Sequence, residues 1–422
     1  MWVQIGGEAP HFHPHNLLQA KSQRAGGRVS TGFMIYNLLM DFAPLNNPVW
    51  VSRPADLRAM VADLLRYPIV AVDTESNGLY VYQEQVCLLQ FSTGETDYLV
   101  DPLSLSDLST LEPVFDSPAI QKVFHAAEYD VLCLKRDFGF RFANLFDTML
   151  AARILGRKEF GLGALLLAEF GLELDKRHQR ANWGRRPLPA SMLAYARLDT
   201  HYLQALREQM LAGLEEKGLR ALAEEDFQRM CAVPSGQIQP AVDNCWTVAN
   251  PRDVNPYQAA ILQALCAFRD RQARYANFPT FRILPNRALI DITLQAPQTL
   301  EELDAVPGLP GKTIERFGEG ILAAVKEGQA APPLHPPRST RPPDAVLQRI
   351  ELLREWRKEM GRSLGVESDV ILPKDVLHEI AETNPRTPEA LAERMQTLPW
   401  RRERFGNEIL ELLLTKKGKK TT

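Results

Sequence analysis

Short apolar runs separated by tight turns begin the patterned part of the chain. They fall at Ile69–Asp73, within Gln85–Ser92 and at Asp97–Val100, and the Gly94-Glu95 turn separates the last two. Runs of this length joined by tight turns are typical of an antiparallel meander. We therefore expect three antiparallel strands here, and the segment Ala119–Phe124 predicts a fourth, buried strand.

Longer segments farther along the chain carry apolar residues at helical spacing. A helix is expected near Ala127–Asp137 and another over Ser191–Lys217, where Leu193, Ala196 and Leu203 belong to one recurring apolar set. Strands alternate with helices between about residues 48 and 230. This alternation predicts an α/β domain with a mixed sheet and helices on its faces.

Two helical modules are expected after the α/β domain. The segment Val370–Lys374 resembles Arg282–Asn286, so we interpret the modules as a divergent internal repeat. Proline-rich stretches between them are typical of stiff connectors. We expect an N-terminal extension at 1–47 that is disordered or reflects a mis-assigned translation start. The α/β domain is predicted at 48–233, and a linker at 234–255 follows it. The other predicted divisions are the first helical module at 256–330, a Pro-rich linker at 331–343, the second helical module at 344–415 and a basic tail at 416–422.

The bulk composition narrows the class of protein without deciding it. The chain has 422 residues, a formal net charge of −3 and 45% hydrophobic residues, which is typical of a globular protein. A near-neutral charge does not predict nucleic-acid binding, although a local basic groove would be sufficient for it. The five cysteines form no C-x-x-C pair, which argues against a zinc site and fits a cytosolic protein. No apolar run approaches the ~20 residues that a membrane helix needs.

Acidic residues lie on three of the predicted elements. Asp73 and Glu75 are two residues apart on the first strand, so their side chains leave the same face of the sheet. Asp130 lies on the helix after the fourth strand, and Tyr195 and Asp199 share one face of a later helix. Each motif alone is common in proteins, but their occurrence together and in this order predicts a single site.

Clustered carboxylates are the ligands that a two-metal site requires. Hydrolysis of a phosphodiester needs a nucleophilic hydroxide and neutralisation of charge at phosphorus, which two divalent cations roughly 4 Å apart can supply. Mg²⁺ and Mn²⁺ prefer oxygen ligands. Crowded carboxylates repel one another, so we expect strain in such a site without metal.

The three acidic segments together resemble the DEDD family of 3′→5′ exonucleases, in the subgroup that has a tyrosine in its third motif. Over roughly residues 48–415 the chain resembles ribonuclease D, including Phe146-Asp147-Thr148 and the segment from Trp183 to Leu188. The helical modules resemble HRDC domains, which bind nucleic acids. Phe281–Pro285 and Pro307–Leu309 carry this likeness in the first module, and the second module matches more weakly.

The resemblance implies a ribonuclease H-like mixed-sheet exonuclease domain followed by two all-α HRDC-like domains. It implies that Tyr195 positions the attacking water and that two Mg²⁺ or Mn²⁺ ions are bound. The implied metal ligands are Asp73, Glu75, Asp130 and Asp199. The implied substrate is RNA with a single-stranded 3′ end, with tRNA precursors as the expected case, and the protein is expected to be a cytoplasmic monomer.

Further residues are weaker candidates for contact with the substrate. They are Thr74, His125, Trp183, Arg185 and Arg186. Basic side chains can follow phosphates and a tryptophan can stack on a base, while ordinary exposed loop charge is the alternative. His125 is interpreted preferentially as a packing or supporting residue. Asp147 is interpreted as the N-cap of the helix that begins near Met149.

Two questions stay open from the sequence. The substrate could be DNA, although no phosphate-binding loop of a helicase is present. The chain could also be an inactive nucleic-acid-binding protein, which the presence of all five key residues argues against. Arg269, Arg271 and Arg274 lie along one predicted helix of the first module, where they could contact an RNA backbone or form a solvated face.

Overall fold

The computed structural model describes residues 46–234, 244–337 and 341–415. The predictions for the N-terminal extension up to residue 45, for the linker residues 235–243 and 338–340, and for the basic tail at 416–422 lie outside these residues. Within the described part of the chain, no helix has the length and apolar character needed to cross a membrane.

A six-stranded mixed sheet forms the centre of the first domain. Its strands are β1 (Val49–Val51), β2 (Ile69–Ser76), β3 (Val86–Ser92), β4 (Asp97–Val100), β5 (Gln121–Phe124) and β6 (Leu145–Asp147). Their order across the sheet is β1-β4-β3-β2-β5-β6. The pairs β2–β3 and β3–β4 are antiparallel, whereas β1, β5 and β6 join by parallel pairing. The predicted meander and the fourth strand are therefore confirmed.

Two strands were not predicted, because they are too short to show a pattern. Both β1 and β6 contain three residues. Strand β6 extends the sheet beyond β5 and pairs Asp147 with Phe124. This pairing brings the start of the following helix beside the end of β5, where the chain turns toward Asp130.

Helices cover both faces of the sheet. They are α1 (Pro54–Leu64), α2 (Glu112–Phe115), α3 (Glu128–Phe138), α4 (Thr148–Ile154), α5 (Leu162–Phe170), α6 (Ala190–His201), α7 (Leu203–Glu216) and α8 (Arg220–Cys231), with a 3₁₀ turn at Ser109–Leu111. Strand β2 sends alternate side chains into two cores. Val70 and Val72 pack with residues of α1 and α3, whereas Ala71 packs with residues of α4, α7 and α8. The predicted α/β domain is therefore confirmed as three layers.

The long helix predicted over Ser191–Lys217 is two helices. Tyr202 separates α6 from α7 with φ −96° and ψ −1°. Its ring packs edge-on against His201, with the ring centroids 4.7 Å apart. Because apolar positions continue through the break, periodicity could not reveal it. The break allows α6 to pack across β2, β3 and β4 while α7 packs over β2 and β5.

The two helical modules repeat one order of elements. After a single turn at α9 (Cys245–Val248), the first module contains α10 (Pro256–Ala276), α11 (Thr280–Ile283), α12 (Asn286–Gln295), α13 (Leu300–Asp304) and α14 (Gly311–Ala330). The second contains α15 (Asp344–Leu364), α16 (Ser368–Ile371), α17 (Lys374–Thr383), α18 (Pro388–Arg394) and α19 (Pro399–Thr415). Helices α10 and α15 both have 21 residues, and α12 and α17 both have 10. The internal repeat is therefore confirmed at the level of structure.

An arginine at the same position of each long helix holds the turn that follows. Arg269 of α10 donates to the carbonyl oxygen of Leu284 at 2.7 Å, and Arg357 of α15 donates to that of Leu372 at 2.8 Å. Arg269 is 1% exposed. Its side chain therefore stabilises the module from inside, and the expectation that it could grip an RNA backbone is wrong.

Both helical modules contact the α/β domain. In the first, Asp270 accepts a hydrogen bond of 2.5 Å from the Tyr82 hydroxyl, and Arg274 donates to the same hydroxyl at 2.8 Å. In the second, the buried Arg401 donates to Glu225 of α8 at 2.8 Å. Arg274 is thus engaged between domains while its side chain stays 54% exposed, so its contact with an RNA backbone stays a prediction.

Candidate active site

The five residues of the predicted site lie on three neighbouring elements. Asp73 and Glu75 lie on β2, a central strand of the sheet. Asp130 lies in the first turn of α3, directly after β5, which pairs with β2. Tyr195 and Asp199 lie on α6, which packs against β2. Elements that are far apart in sequence therefore converge at the end of β2.

The four carboxylates form an electrostatically coupled group. Surrounding protein atoms desolvate Asp73 and raise its pKa well above the usual value, and the charges of Asp130, Asp199 and Glu75 raise it further. Burial, followed by the charges of Asp199 and Asp130, raises the pKa of Glu75 to about 9. Burial also raises the pKa of Asp130 and of Asp199 to about 7. The charges of Asp130 and Asp199 thus make it harder for Asp73 and Glu75 to ionise.

These four carboxylates have no cationic partner among the described residues. The ion pairs of the described chain include neither Asp73 and Glu75 nor Asp130 and Asp199. The hydroxyl of Thr74 donates to Asp130 Oδ1, which is the one side-chain hydrogen bond to these acids within the described part of the chain. A group of partly buried acids without cations favours binding of positive charge from outside the chain.

The donor chemistry of this group fits divalent metal ions. All four side chains offer hard oxygens, which Mg²⁺ and Mn²⁺ prefer. Among the described residues, no group of three or more His, Cys, Asp or Glu side chains is arranged so that it could hold a metal ion by itself. Mg²⁺ does not require one, because it usually keeps several waters and is bound through one or two carboxylates together with substrate phosphates. The residues therefore fit a site that is completed by water and substrate.

The charges of three of these acids act on the Tyr195 hydroxyl. Burial raises the pKa of Tyr195, and the charges of Asp199, Glu75 and Asp73 raise it further, so the phenol stays protonated at neutral pH. Its ring lies near two other rings, with centroid distances of 5.9 Å to His178 and 6.0 Å to Trp183. A neutral hydroxyl held by packed rings can orient a water molecule without adding another negative charge.

Asp147 holds the turn that leads to Asp130. Its carboxylate accepts hydrogen bonds from the amides of Met149 and Leu150, and from those of Ala126 and Ala127. The predicted N-cap is thus confirmed, with α4 as the capped helix. Burial raises the pKa of Asp147 even though the four amide hydrogen bonds lower it. One buried carboxylate therefore joins the start of α3 to the start of α4.

His125 supports the same region. Its Nδ1 lies 2.9 Å from Thr148 Oγ1, and that hydroxyl donates to the Phe124 carbonyl oxygen at 3.0 Å. Since the threonine proton is used in that bond, Nδ1 of His125 must be the donor. Burial lowers the pKa of His125 to about 4, so the ring is neutral at pH 7. This geometry agrees with a packing or supporting role.

Two of the candidate substrate-binding residues are engaged inside the protein. Trp183 is 1% exposed and packs with a small core that includes Met192 and Ala196, so its ring is not available for stacking on a base. Arg186 forms a two-pronged ion pair with Asp101, at 2.6 and 2.9 Å. Because the Arg186 guanidinium is bound to this carboxylate, the expected contact of Arg186 with RNA phosphates does not fit the structure. Both residues instead shape the segment that precedes α6.

Other candidates remain at the surface or in the cleft. Arg185 is exposed, so its proposed contact with phosphate stays a prediction. Thr74 and Glu75 line a cleft together with Tyr82, Tyr129 and Arg180. Tyr129 is 51% exposed, and the sequence pattern did not single it out. The sequence could have indicated Tyr129 through its position beside Asp130, because a residue next to a site acid on the first turn of a helix lies near the site.

Two family models match the chain, one for each kind of domain. The family model described as 3'-5' exonuclease matches residues 48–215. The family model described as HRDC domain matches residues 258–325 and 346–413. These ranges contain the acidic site and the two helical modules respectively.

Similar whole proteins include curated enzymes and solved structures. Ribonuclease D of Gluconacetobacter diazotrophicus is 30% identical over 376 residues, which cover 87% of this chain and 93% of that protein. The exosome complex exonuclease RRP6 of Saccharomyces cerevisiae is 32% identical over 59% of this chain and 36% of its own length. The crystal structure of Escherichia coli RNase D aligns with a TM-score of 0.64 at 24% identity, covering 87% of this chain and 99% of that chain, which shows a shared fold. The catalytic core of RRP6 from Trypanosoma brucei aligns with a TM-score of 0.60 at 27% identity, over 70% of this chain and 84% of that one.

Proposed function

This chain belongs to the ribonuclease D family and is a 3′→5′ exoribonuclease, and from that premise we propose how its own residues bind and cleave RNA. The family depends on divalent metal ions. The proposed metal ligands are Asp73, Glu75, Asp130 and Asp199. The observation that carries this proposal is that four acids from three neighbouring elements have raised pKa values and no cationic partner in the described chain.

The proposed ligand set combines a rigid strand with two helices. Asp73 and Glu75 are held on β2 by pairing with β3, in the register Asp73–Gln90 and Glu75–Leu88. Asp130 is held by the Thr74 hydroxyl and by the turn that Asp147 fixes. When bound, two divalent cations would lower the pKa of a water molecule and neutralise charge at the phosphorus. Preorganised ligands of this kind add no reorganisation cost during the reaction.

Tyr195 is proposed to orient the attacking water. Its protonated hydroxyl can donate one hydrogen bond and accept another, so it can fix the direction of a water lone pair. Loss of this orientation should slow the chemical step more than it weakens RNA binding. Arg185 and the exposed Tyr129 are proposed contacts for the RNA strand near the cleft, through phosphate attraction and base stacking respectively.

The finer features of the substrate and the cell are also proposals. We infer that the substrates are structured RNAs with single-stranded 3′ tails, tRNA precursors among them, and that the ions are Mg²⁺ or Mn²⁺. Escherichia coli RNase D, whose fold this chain shares, is an exoribonuclease involved in structured RNA processing, which supports this inference. We further propose a cytoplasmic monomer that consists of an exonuclease domain at 48–233 and HRDC domains at 256–330 and 344–415.

The experiment compares four substrates that carry the same 5′ label. They are a single-stranded RNA, its DNA counterpart, a hairpin RNA with a 3′ tail and the same hairpin with a blunt end. We expect a ladder that shortens from the 3′ end on single-stranded RNA, trimming of the tail that stops near the hairpin, and release of 5′-mononucleotides. Comparable digestion of the DNA, or equal digestion of tailed and blunt hairpins, would contradict the proposed substrate.

A further inference from the structure

Glu84 lies at the end of the loop that follows β2, in the cleft beside Glu75. Its Oε1 accepts a hydrogen bond of 2.5 Å from the Ser76 hydroxyl, and its Oε2 accepts one from the Tyr129 hydroxyl. Ser76 directly follows Glu75, and Tyr129 directly precedes Asp130. One carboxylate therefore joins the immediate neighbours of two site acids that come from different elements.

Helix α3 also contacts the Glu84 carboxylate through Arg136. Arg136 Nη1 lies 3.4 Å from Glu84 Oε2, and Arg136 Nε donates to Asp137 at 2.6 Å. The Asp137 carboxylate in turn accepts the Val86 amide at 2.8 Å. The side chains of Glu84 and Arg136 are 18% and 14% exposed. In such a partly buried setting, charge-assisted hydrogen bonds are stronger than on an open surface.

The pairing of β2 with β3 is irregular at this point. The register between β2 and β3 shifts between Glu75 and Ser76, so regular pairing ends just beyond the site acid. The loop instead folds onto Glu84, since a Cβ atom at Gly78 would lie 2.7 Å from Glu84 Oε1. At the other end of the bridge, α3 has Ala127 as its N-cap residue, which offers no side-chain cap. Glu84 therefore adds a restraint at both ends of the bridge, beside the β2–β3 pairing that holds Glu75 and the Asp147 hydrogen bonds that hold the turn before Asp130.

We propose that Glu84 is a positioning residue for the exonuclease reaction, which fixes the separation of Glu75 and Asp130 by holding Ser76 and Tyr129 together. This inference rests on the proposed function, because it assigns Glu75 and Asp130 as metal ligands. Groups that orient metal ligands from outside typically change metal affinity or activity by about 10- to 100-fold when they are removed. Glu84 acts through its neighbours and touches neither the ions nor the RNA.

The test is Glu84→Ala, with two readouts. Mn²⁺ binding is measured from the EPR signal of free Mn²⁺, without RNA, and kcat and KM are measured on a single-stranded RNA. We expect Mn²⁺ half-saturation to rise by about 10- to 100-fold and kcat to fall, with little change in KM. Glu169→Ala is the matched control, because Glu169 has a side chain 12% exposed and an ion pair with Arg157 at 2.6 Å outside the cleft.

Milder variants keep the test decisive if Glu84→Ala does not fold. Ser76→Ala and Tyr129→Phe each remove one hydroxyl that Glu84 holds, and each should weaken Mn²⁺ binding. Adding either change to Glu84→Gln should have a smaller effect than in the wild-type background, because both act through the same carboxylate. Wild-type Mn²⁺ binding in Ser76→Ala, Tyr129→Phe and Glu84→Gln would overturn the inference. Absence of exonuclease activity in the wild-type protein would contradict the proposed function instead, and Mn²⁺ binding would still decide the role of Glu84.

Discussion

Replacing Arg401 with methionine should loosen the second helical module from the exonuclease domain. Arg401 is fully buried and donates to Glu225 at 2.8 Å, to Asp226 at 2.8 Å and to the Val370 carbonyl oxygen at 3.0 Å. Methionine fills a similar volume and donates nothing, so Glu225, which is 4% exposed, loses its cationic partner. Removing one partner of a buried ion pair costs about 3–5 kcal/mol.

The direction of the effect follows from the state of Glu225. Burial raises the pKa of Glu225, and the nearby Arg401 charge and its hydrogen bonds lower it. Without the guanidinium of Arg401, the pKa should rise further, because only the backbone amides of residues 400 and 401 then oppose burial. The double variant Arg401→Met/Glu225→Gln should therefore be more stable than Arg401→Met alone, since position 225 then carries no unpaired buried charge.

Hydrogen–deuterium exchange of α8, α16 and α19 measures this docking directly. A loss of about 3–5 kcal/mol corresponds to an increase of about 100- to 3,000-fold in the undocked population, since 1.4 kcal/mol is a factor of ten. Arg229→Ala is the control at the same junction. Its ion pair with Asp375 is 2.7 Å long, with side chains 26% and 67% exposed, and such pairs contribute about 0–1 kcal/mol. Exchange in Arg401→Met that is no faster than in Arg229→Ala would refute the reasoning.

Three other predictions concern the site, its acids and one glycine. Tyr195→Phe should lower kcat by about 10- to 100-fold with KM nearly unchanged, because it removes the hydroxyl and keeps the ring; an equal loss in RNA affinity would argue against water orientation. In the metal-free protein, the pKa of Asp130 is raised to about 7 and that of Glu75 to about 9, so above pH 5 the folded state binds more protons than the unfolded state. Tm should therefore fall as the pH rises from about 5 to about 9. Added Mg²⁺ should restore more stability at the upper end of that range, and a Tm that rises with pH in EDTA would contradict the assigned shifts. Gly328→Ala should destabilise the protein by about 1–3 kcal/mol, because the new Cβ would lie 2.3 Å from the Ile261 Cα. In the control Gly406→Ala, the nearest atom to the new Cβ lies at 3.7 Å, so this variant should gain up to about 1 kcal/mol from helix propensity. Equal free energies of unfolding in urea for the two variants would refute this prediction.

The sequence was sufficient to predict the central strands of the sheet and to predict which site residues share one face of a strand or helix. Period-two spacing placed Asp73 and Glu75 on one face of a strand, and four-residue spacing placed Tyr195 and Asp199 on one face of a helix. Such local geometry is set by φ and ψ, so it can be read without knowledge of distant contacts. The break at Tyr202 could not be read, because the apolar pattern continues through it.

Roles that depend on distant partners were the part that sequence reasoning missed. Arg186 and Arg269 look like free basic residues in the sequence, yet Asp101 and the Leu284 carbonyl oxygen engage them in the fold. Trp183 was expected at a surface and lies in a core. A single sequence shows which residues are charged or aromatic, but which of them are neutralised or covered depends on distant residues, and these two partners are 15 and 85 positions away.

The most direct test of the central claim is digestion of a 5′-labelled RNA by the wild-type protein and by Asp73→Asn, in Mg²⁺, in Mn²⁺ and in EDTA. Asp56→Asn is the control, because Asp56 is an acid outside the site that bonds to Arg53 on the surface. We predict a 3′→5′ ladder for the wild type and the control with either metal, no ladder in EDTA, and no ladder for Asp73→Asn. Digestion that persists in EDTA, or wild-type digestion by Asp73→Asn, would contradict the assignment of the four carboxylates as the metal site.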